Sequence, residues 1–234
     1  MKISPYFEKA HMLRRYKRFL VDVKLENGEE LTIHCPNTGS MKNCWVEGGV
    51  CWFSRTDNPN RKLPGTLELT ITPDGFLCGI NTHRSNYLVK EGILNGIIAE
   101  LQDYKVIQTE VKYGDEKSRI DLLLSSPAKN CYVEVKNMTF DIGGGCILFP
   151  DAVTERGAKH LRELIRKVEQ GHRSVLVFCV QHSGAKNTGL ADEVDSYYAE
   201  TMRQAINAGV EVIAYGCKLS PKEIIIDKRL PFRL

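Results

Sequence analysis

Three charged residues stand where charge is costly. Asp121 interrupts the apolar run SRIDLLL, and Glu134 and Lys136 interrupt YVEVKN thirteen residues further on. An unpaired charge buried in an apolar strand costs several kcal/mol, so a charge kept there has a partner or a use. Side chains alternate along a strand, which puts Glu134 and Lys136 on one face and Val133 and Val135 on the other. By the same alternation, Ile120 and Leu122 face away from Asp121. The segment SPAKN (126–130) would join strands 118–125 and 131–139 as a hairpin, with Asp121 and Glu134 side by side. Two adjacent carboxylates repel and raise each other's pKa unless a cation lies between them. Mg²⁺ or Mn²⁺ meets that need, because Mg²⁺ takes one or two carboxylates plus waters and phosphate oxygens. A neighbouring lysine can orient or activate an attacking water, or stabilise charge developing on a phosphate. Asp121, Glu134 and Lys136 together suit a divalent-metal-dependent phosphodiester hydrolase. The bland alternative is a cross-strand salt bridge on an exposed sheet face.

The elements that would position these residues fall into two groups. Alternating segments at 18–25, 30–35, 50–54, 66–72 and 76–81 are separated by Gly-, Asn- and Pro-rich turns. Five short strands with polar loops predict a small barrel of the OB type over residues 1–84. The pattern then changes. A helical period runs from Ser85, a suitable N-cap, to Leu101. Strands follow at 105–113, 118–125 and 131–139, then an amphipathic helix at 154–170 stopped by Gly171. The apolar run at 174–180 predicts a central buried strand. A further helix at 192–208 and strands at 210–215 and 223–227 complete the order. The fold class expected is α/β (α+β) in two domains: the barrel, then a mixed-sheet α/β domain over 85–234 with helices on its faces. Ala205 and Gly209 have a helix-turn-helix spacing, but the supposed recognition helix VEVIAYGC is β-branched and alternating, which favours a strand.

The chain has 234 residues, 42% hydrophobic and 26% charged, which excludes a wholly disordered protein. No apolar run approaches the ~18 residues of a membrane span. The N-terminus is basic and lacks an apolar signal stretch, so a cytoplasmic location without a membrane partner is expected. Eight cysteines form no C-x-x-C pair, which argues against a zinc ribbon and predicts buried free thiols.

Net charge is only +3, yet residues 1–25 carry seven basic and two acidic side chains. An acidic partner such as nucleic acid would meet that end. Arg14, Arg15, Tyr16, Lys17, Arg18 and Phe19 can neutralise phosphates and stack on bases, or else form a solvated edge over core aromatics. Arg55, Arg61 and Lys62 make a second candidate patch. Within TERGAKHL, Arg156 and His160 are four apart and share a helix face. If that face borders the carboxylates, Arg156 could hold a phosphate and His160 could assist proton transfer; otherwise they are surface residues. Glu91 is the candidate third acidic metal ligand, with Glu100 and Glu110 as competitors. The segment HCPNTGSM (34–41) is either a phosphate or ligand loop or a tight turn.

D-x₁₂-E-V-K on successive strands after a helix resembles the PD-(D/E)xK nuclease core, with Ile120 where that motif has proline. The whole chain resembles the sugar fermentation stimulation protein family. The resemblance is carried by RRYKRFLVDV (14–23), HCPNTGSM (34–41), EVKYGDEKSRIDLLL (110–124), CYVEVKNMT (131–139) and FPDAVTERGAKHLREL (149–164). It implies an OB-like domain followed by a restriction-endonuclease-like domain, and DNA binding without marked sequence specificity. Asp121, Glu134 and Lys136 are the matching motif positions. Three functions stay open: a metal-dependent nuclease, a non-catalytic DNA-binding regulator of sugar (maltose-type) metabolism genes, and a small-molecule-binding regulator of sugar metabolism.

Overall fold

A computed structural model describes residues 1–116, 118–127 and 130–234. Part of the expected turn at 126–130 lies outside the described residues.

The first sheet contains β1 (Glu8–Tyr16), β2 (Leu20–Leu25), β3 (Glu30–His34), β4 (Val50–Arg55), β5 (Gly65–Ile71) and β6 (Leu77–Gly79), in the order β3-β2-β1-β4-β5-β6. A parallel pairing of His34 with Thr66 joins β3 to β5 and closes β1–β5 into a five-stranded barrel. The expected OB-type barrel is therefore present. Its interior is packed by Ala10, Met12, Val21, Val23, Ile33 and Phe53.

The sequence reading missed β1. Its inward positions Ala10 and Met12 are followed by Leu13 and the charged Arg14 and Arg15, which break the alternation. The basic run RRYKRF is not one continuous strand. Arg14–Tyr16 ends β1, and Lys17 and Arg18 turn the chain with φ of 50° and 65°. That turn delays the second strand to Leu20.

The second group contains α1 (Arg84–Leu94), a 3-10 turn (Ala99–Leu101), β7 (Val106–Tyr113), β8 (Ser118–Ser125), β9 (Asn130–Met138), β10 (Phe140–Asp141), β11 (Cys146–Phe149) and α2 (Glu155–Glu169). It continues through β12 (Arg173–Val180), β13 (Asn187–Leu190), α3 (Ser196–Asn207), β14 (Glu211–Leu219), β15 (Ile224–Leu230) and β16 (Phe232–Arg233). The main sheet runs β15-β14-β12-β9-β8-β7. Strand β12 lies parallel to both β9 and β14 and is buried from Ser174 to Val180, as its apolar run predicted. Helix α1 packs on one face of this sheet, and α2 and α3 on the other.

Several expectations need correction. Helix α1 stops at Leu94 because Asn95 and Gly96 end it, Gly96 at φ 73°. Ser85 is not the N-cap. It is buried inside the first turn and donates to Asn137 Oδ1 at 3.1 Å. Helix α3 starts at Ser196 because the Asp195 carboxylate caps it through Tyr198 N–H. A four-stranded sheet, β10-β11-β13-β16, was not foreseen, since strands of two to four residues carry no readable period. By contrast, Thr154 caps α2 as expected, and VEVIAYGC lies in a strand from Glu211 onward. None of the eight cysteines forms a disulfide, and all but Cys146 are buried. Among the described residues no helix is long and apolar enough to cross a membrane.

The two groups are tied together by a buried ion pair. Glu68 of β5 is 2% exposed, and the Arg84 guanidinium donates to both its oxygens at 2.5 and 2.7 Å. Ser54 and Asn81 donate to the same carboxylate. Residues 1–7 also leave the barrel: Ile3 and Phe7 pack beside Leu88 and Ile226 in the core under α1. Because Arg84 opens α1, the pair fixes that helix against the barrel. Removing one partner of a buried pair strands the other charge, so Arg84→Ala is expected to cost roughly 3 kcal/mol. A lower urea midpoint checks this, with the exposed Arg14→Ala as an unchanged control.

Candidate functional site

Strands β8 and β9 pair from Ser125↔Asn130 to Leu122↔Val133, and the ladder ends there. Asp121 follows, and its carboxylate takes the place of a strand partner. Val135 N–H donates to Asp121 Oδ2 at 2.7 Å, and Asn86 of α1 donates to Oδ1 at 2.8 Å. The expected alternation fails at this point. Ile120 packs on the α2 and α3 side and Leu122 on the α1 side, because β8 leaves its partner at Asp121.

Glu134 lies on β9 and is 1% exposed. Its Oε1 accepts from Lys136 Nζ at 2.6 Å and is bonded to His160 Nδ1. Its Oε2 is buried with no hydrogen-bond partner among the described residues. His160 comes from α2 and is itself buried, with Arg156 Nε 3.4 Å from its other ring nitrogen. The face bearing Arg156 and His160 therefore does border Glu134, with His160 against its carboxylate and Arg156 outside it.

The two carboxylates are pushed in opposite directions. Burial raises Asp121 to about 6, helped by the charge on Glu134 and opposed by bonds from Val135 and Asn86 and by Lys136. Burial also acts on Glu134 as its largest single influence. Lys136 and His160 together outweigh it and hold Glu134 below the ordinary carboxylate range. At neutral pH both are anionic, and Asp121 is the first to take a proton as pH falls.

Two oxygen-donor side chains, one with an orphaned buried oxygen, fit a hard divalent cation that keeps waters or phosphate oxygens in its other positions. Among the described residues there is no cluster of three or more His, Cys, Asp or Glu placed to enclose a metal. Glu91 is not at the site; its carboxylate pairs with the Met1 α-ammonium. Glu100 is also elsewhere, bonded to Tyr215 and Arg229. Glu110 is the competitor that the fold brings near. It sits at φ 55° in β7, between the pairs Thr109↔Leu122 and Val111↔Ile120, and lines one cavity with Asp121.

The basic candidates separate by what they bind. Arg15 is committed to structure: its guanidinium donates to the carbonyls of Arg18, Asn37, Gly39 and Ser40. It shapes the 34–41 loop, which also receives the Asp151 carboxylate through Met41 N–H at 3.2 Å. Arg14 pairs with Asp22 at 2.6 Å and lies over the Tyr16 ring, whose hydroxyl donates to the same carboxylate. Arg55 pairs with Glu8 at 2.7 Å, and Arg61 donates to Thr66. Lys17, Arg18 and Lys62 are exposed.

Arg18 has a further distinction. It lines a cavity of about 340 Å³ together with Lys136, Asn86, Thr154 and the 37–39 loop. The tip of the first barrel hairpin thus reaches the carboxylate site. Sequence reasoning missed Asn86, and also the trio Ser85, Asn137 and Gln181 that bond one another beneath that cavity. Isolated Asn, Ser and Gln residues carry no spacing signal that could have flagged them.

The fold is thus an OB barrel followed by a mixed-sheet α/β unit, with the β-hairpin tip of the barrel facing a carboxylate–lysine site on that sheet. Family comparison agrees in both halves. Residues 13–80 match the SfsA N-terminal OB domain, and residues 83–223 match the sugar fermentation stimulation protein RE domain. The chain belongs to the sugar fermentation stimulation protein (SfsA) family. A sugar fermentation stimulation protein homolog of Pseudomonas fluorescens is 52% identical over 231 residues, 98% of each chain. One of Shewanella pealeana is 54% identical over the full length of both. The solved structure of Pyrococcus furiosus SfsA in complex with Ca²⁺ superposes with a TM-score of 0.89 at 25% identity, covering 100% of this chain and 98% of that one.

Arg15 and Arg18, three residues apart, are expected to behave differently. Arg15→Ala removes the donor to four carbonyls and should lower stability by about 1–3 kcal/mol. Arg18→Ala should leave the melting temperature unchanged. Thermal melts of the two variants beside wild type check this, and equal melting temperatures would contradict the assignment of Arg15 to the loop.

Proposed function

We propose that this chain binds DNA without strong sequence specificity and hydrolyses phosphodiester bonds at Asp121, Glu134 and Lys136 with Mg²⁺ or Mn²⁺. The observation that carries the proposal is the buried, unpartnered Oε2 of Glu134 beside an Asp121 that burial holds near its protonation point. An uncompensated buried oxygen of this kind fits a cation that binds and leaves. The Ca²⁺ held by the Pyrococcus relative supports a site for a hard cation in this fold.

Asp121 and Glu134 would hold the metal, which when bound polarises a phosphate oxygen and lowers the pKa of a coordinated water. Lys136 lies 2.6 Å from Glu134 and would orient the attacking water or stabilise charge on the phosphate. His160 is a positioning residue that fixes the orientation of the Glu134 carboxylate. Arg156, outside it, would hold a backbone phosphate.

Asp121→Ala and Lys136→Ala should each reduce metal-dependent cleavage of labelled DNA by about 100-fold or more, with DNA binding largely kept. Retarded but uncut DNA in every metal would contradict the hydrolase. The pH dependence has a definite sign. A proton on Asp121 competes with the cation, so Ca²⁺ affinity should fall about tenfold per pH unit below 6 and level off above it. Calorimetric titration across that range checks this, and Asp121→Asn should remove the slope together with most of the affinity.

A second reading is a non-catalytic DNA-binding regulator of sugar-metabolism genes. It draws support from the hydrogen bonds that Lys136 and His160 make to Glu134 Oε1 without any metal. The relatives' shared name supports only its link to sugar fermentation.

A further inference from the structure

Two cavities flank the carboxylate site. The first, about 340 Å³, holds Arg18 and Lys136. The second, about 490 Å³, holds Asp121, Glu110 and the outer face of α1. Thr82 and Asn86 line both, so the two meet at the residue that bonds Asp121. Each is on the scale of one small ligand, for which pockets begin near 300 Å³.

The second cavity carries an unusual feature. Tyr87, the one aromatic of α1, is 70% exposed and lies at its wall. His83 and Lys90 fall four residues before it and three after, so all three share one helix face. No core contact explains this ring; it is absent from every buried cluster.

We infer that the site takes an unpaired DNA strand, with one base stacked on Tyr87 and the neighbouring nucleotide beside Arg18. This deepens the DNA-binding proposal above and rests on it. The physical reason lies in the faces of the bases. Within a duplex both faces of each base are covered by its neighbours, and only edges and phosphates are open. An exposed ring can stack only on a base that has left its helix. Lys90 and His83 lie beside the ring where the adjoining phosphates would run. Arg18, on the opposite side of Asn86, contributes a cation from the barrel. The barrel and the α/β unit would then grip successive nucleotides of one strand across the carboxylates.

Fluorescence anisotropy in EDTA, with a fluorescein-labelled oligonucleotide and the same strand annealed to its complement, tests this without cleavage. Wild type should bind the single strand more tightly than the duplex. Tyr87→Ala should weaken single-strand binding on the order of tenfold, the scale of one base–aromatic stack, and leave duplex binding unchanged. Tyr87→Phe should retain the affinity, and Arg18→Ala should reduce the salt slope by about one. Equal or tighter duplex binding by wild type, or single-strand affinity untouched in Tyr87→Ala, would overturn the inference. Cleavage by a protein that gave either result would leave the nuclease proposal standing. Tyr87-dependent binding by a protein that cuts nothing would remove that proposal and keep this one.

Discussion

Glu134 is a carboxylate buried at the middle of a sheet, and the cost of that burial organises what surrounds it. An isolated ion in such a place would be protonated. Here two groups from different directions keep it charged: Lys136 from its own strand and His160 from α2. Each has a position fixed by something larger. Lys136 shares the face of β9 by alternation. His160 is placed by the helix that Thr154 caps. Only one oxygen of the carboxylate is satisfied in this way, and the other stays buried without a partner among the described residues. The same sheet supplies a second carboxylate at the point where β8 leaves β9, so two like charges share a small volume. Such an arrangement stores electrostatic free energy that a hard cation can release.

The barrel has a part in this geometry beyond carrying positive charge. Glu68 and Arg84 fix the start of α1 against β5, and α1 in turn presents Asn86 to Asp121. Arg15 holds the 34–41 loop from inside, and that loop meets Asp151 on the far side of the cavity. The two units therefore build the site together. The basic run near the N-terminus divides its labour, with Arg15 spent on loop structure and Arg18 facing the cavity.

Much of the fold was legible because the signals were long and periodic. The central strand β12 carries a six-residue apolar run, Val175–Val180, and α2 has a clean cap, amphipathic face and glycine stop. The carboxylate–lysine set was legible because charge inside apolar strands is rare. Other parts were hidden for physical reasons. Strand β1 loses its alternation at Leu13, Arg14 and Arg15, and β10, β11, β13 and β16 are too short to show a period. Ser85 looked like a cap but is a buried hydrogen-bond donor, a role set by contact with Asn137. Glu91 lay on a promising helical stripe, yet α1 is rotated so that it meets the chain's own N-terminus. Glu110 gave no sign of its position, since a left-handed residue within a strand is a tertiary outcome.

The central claim is that the Asp121–Glu134 pair is a site for a hard divalent cation. Electron paramagnetic resonance of Mn²⁺ titrated into the purified protein at neutral pH tests it without requiring any substrate. The account predicts one bound Mn²⁺ per chain in wild type and none at that affinity in Asp121→Ala. A wild-type titration indistinguishable from that of the variant would contradict it.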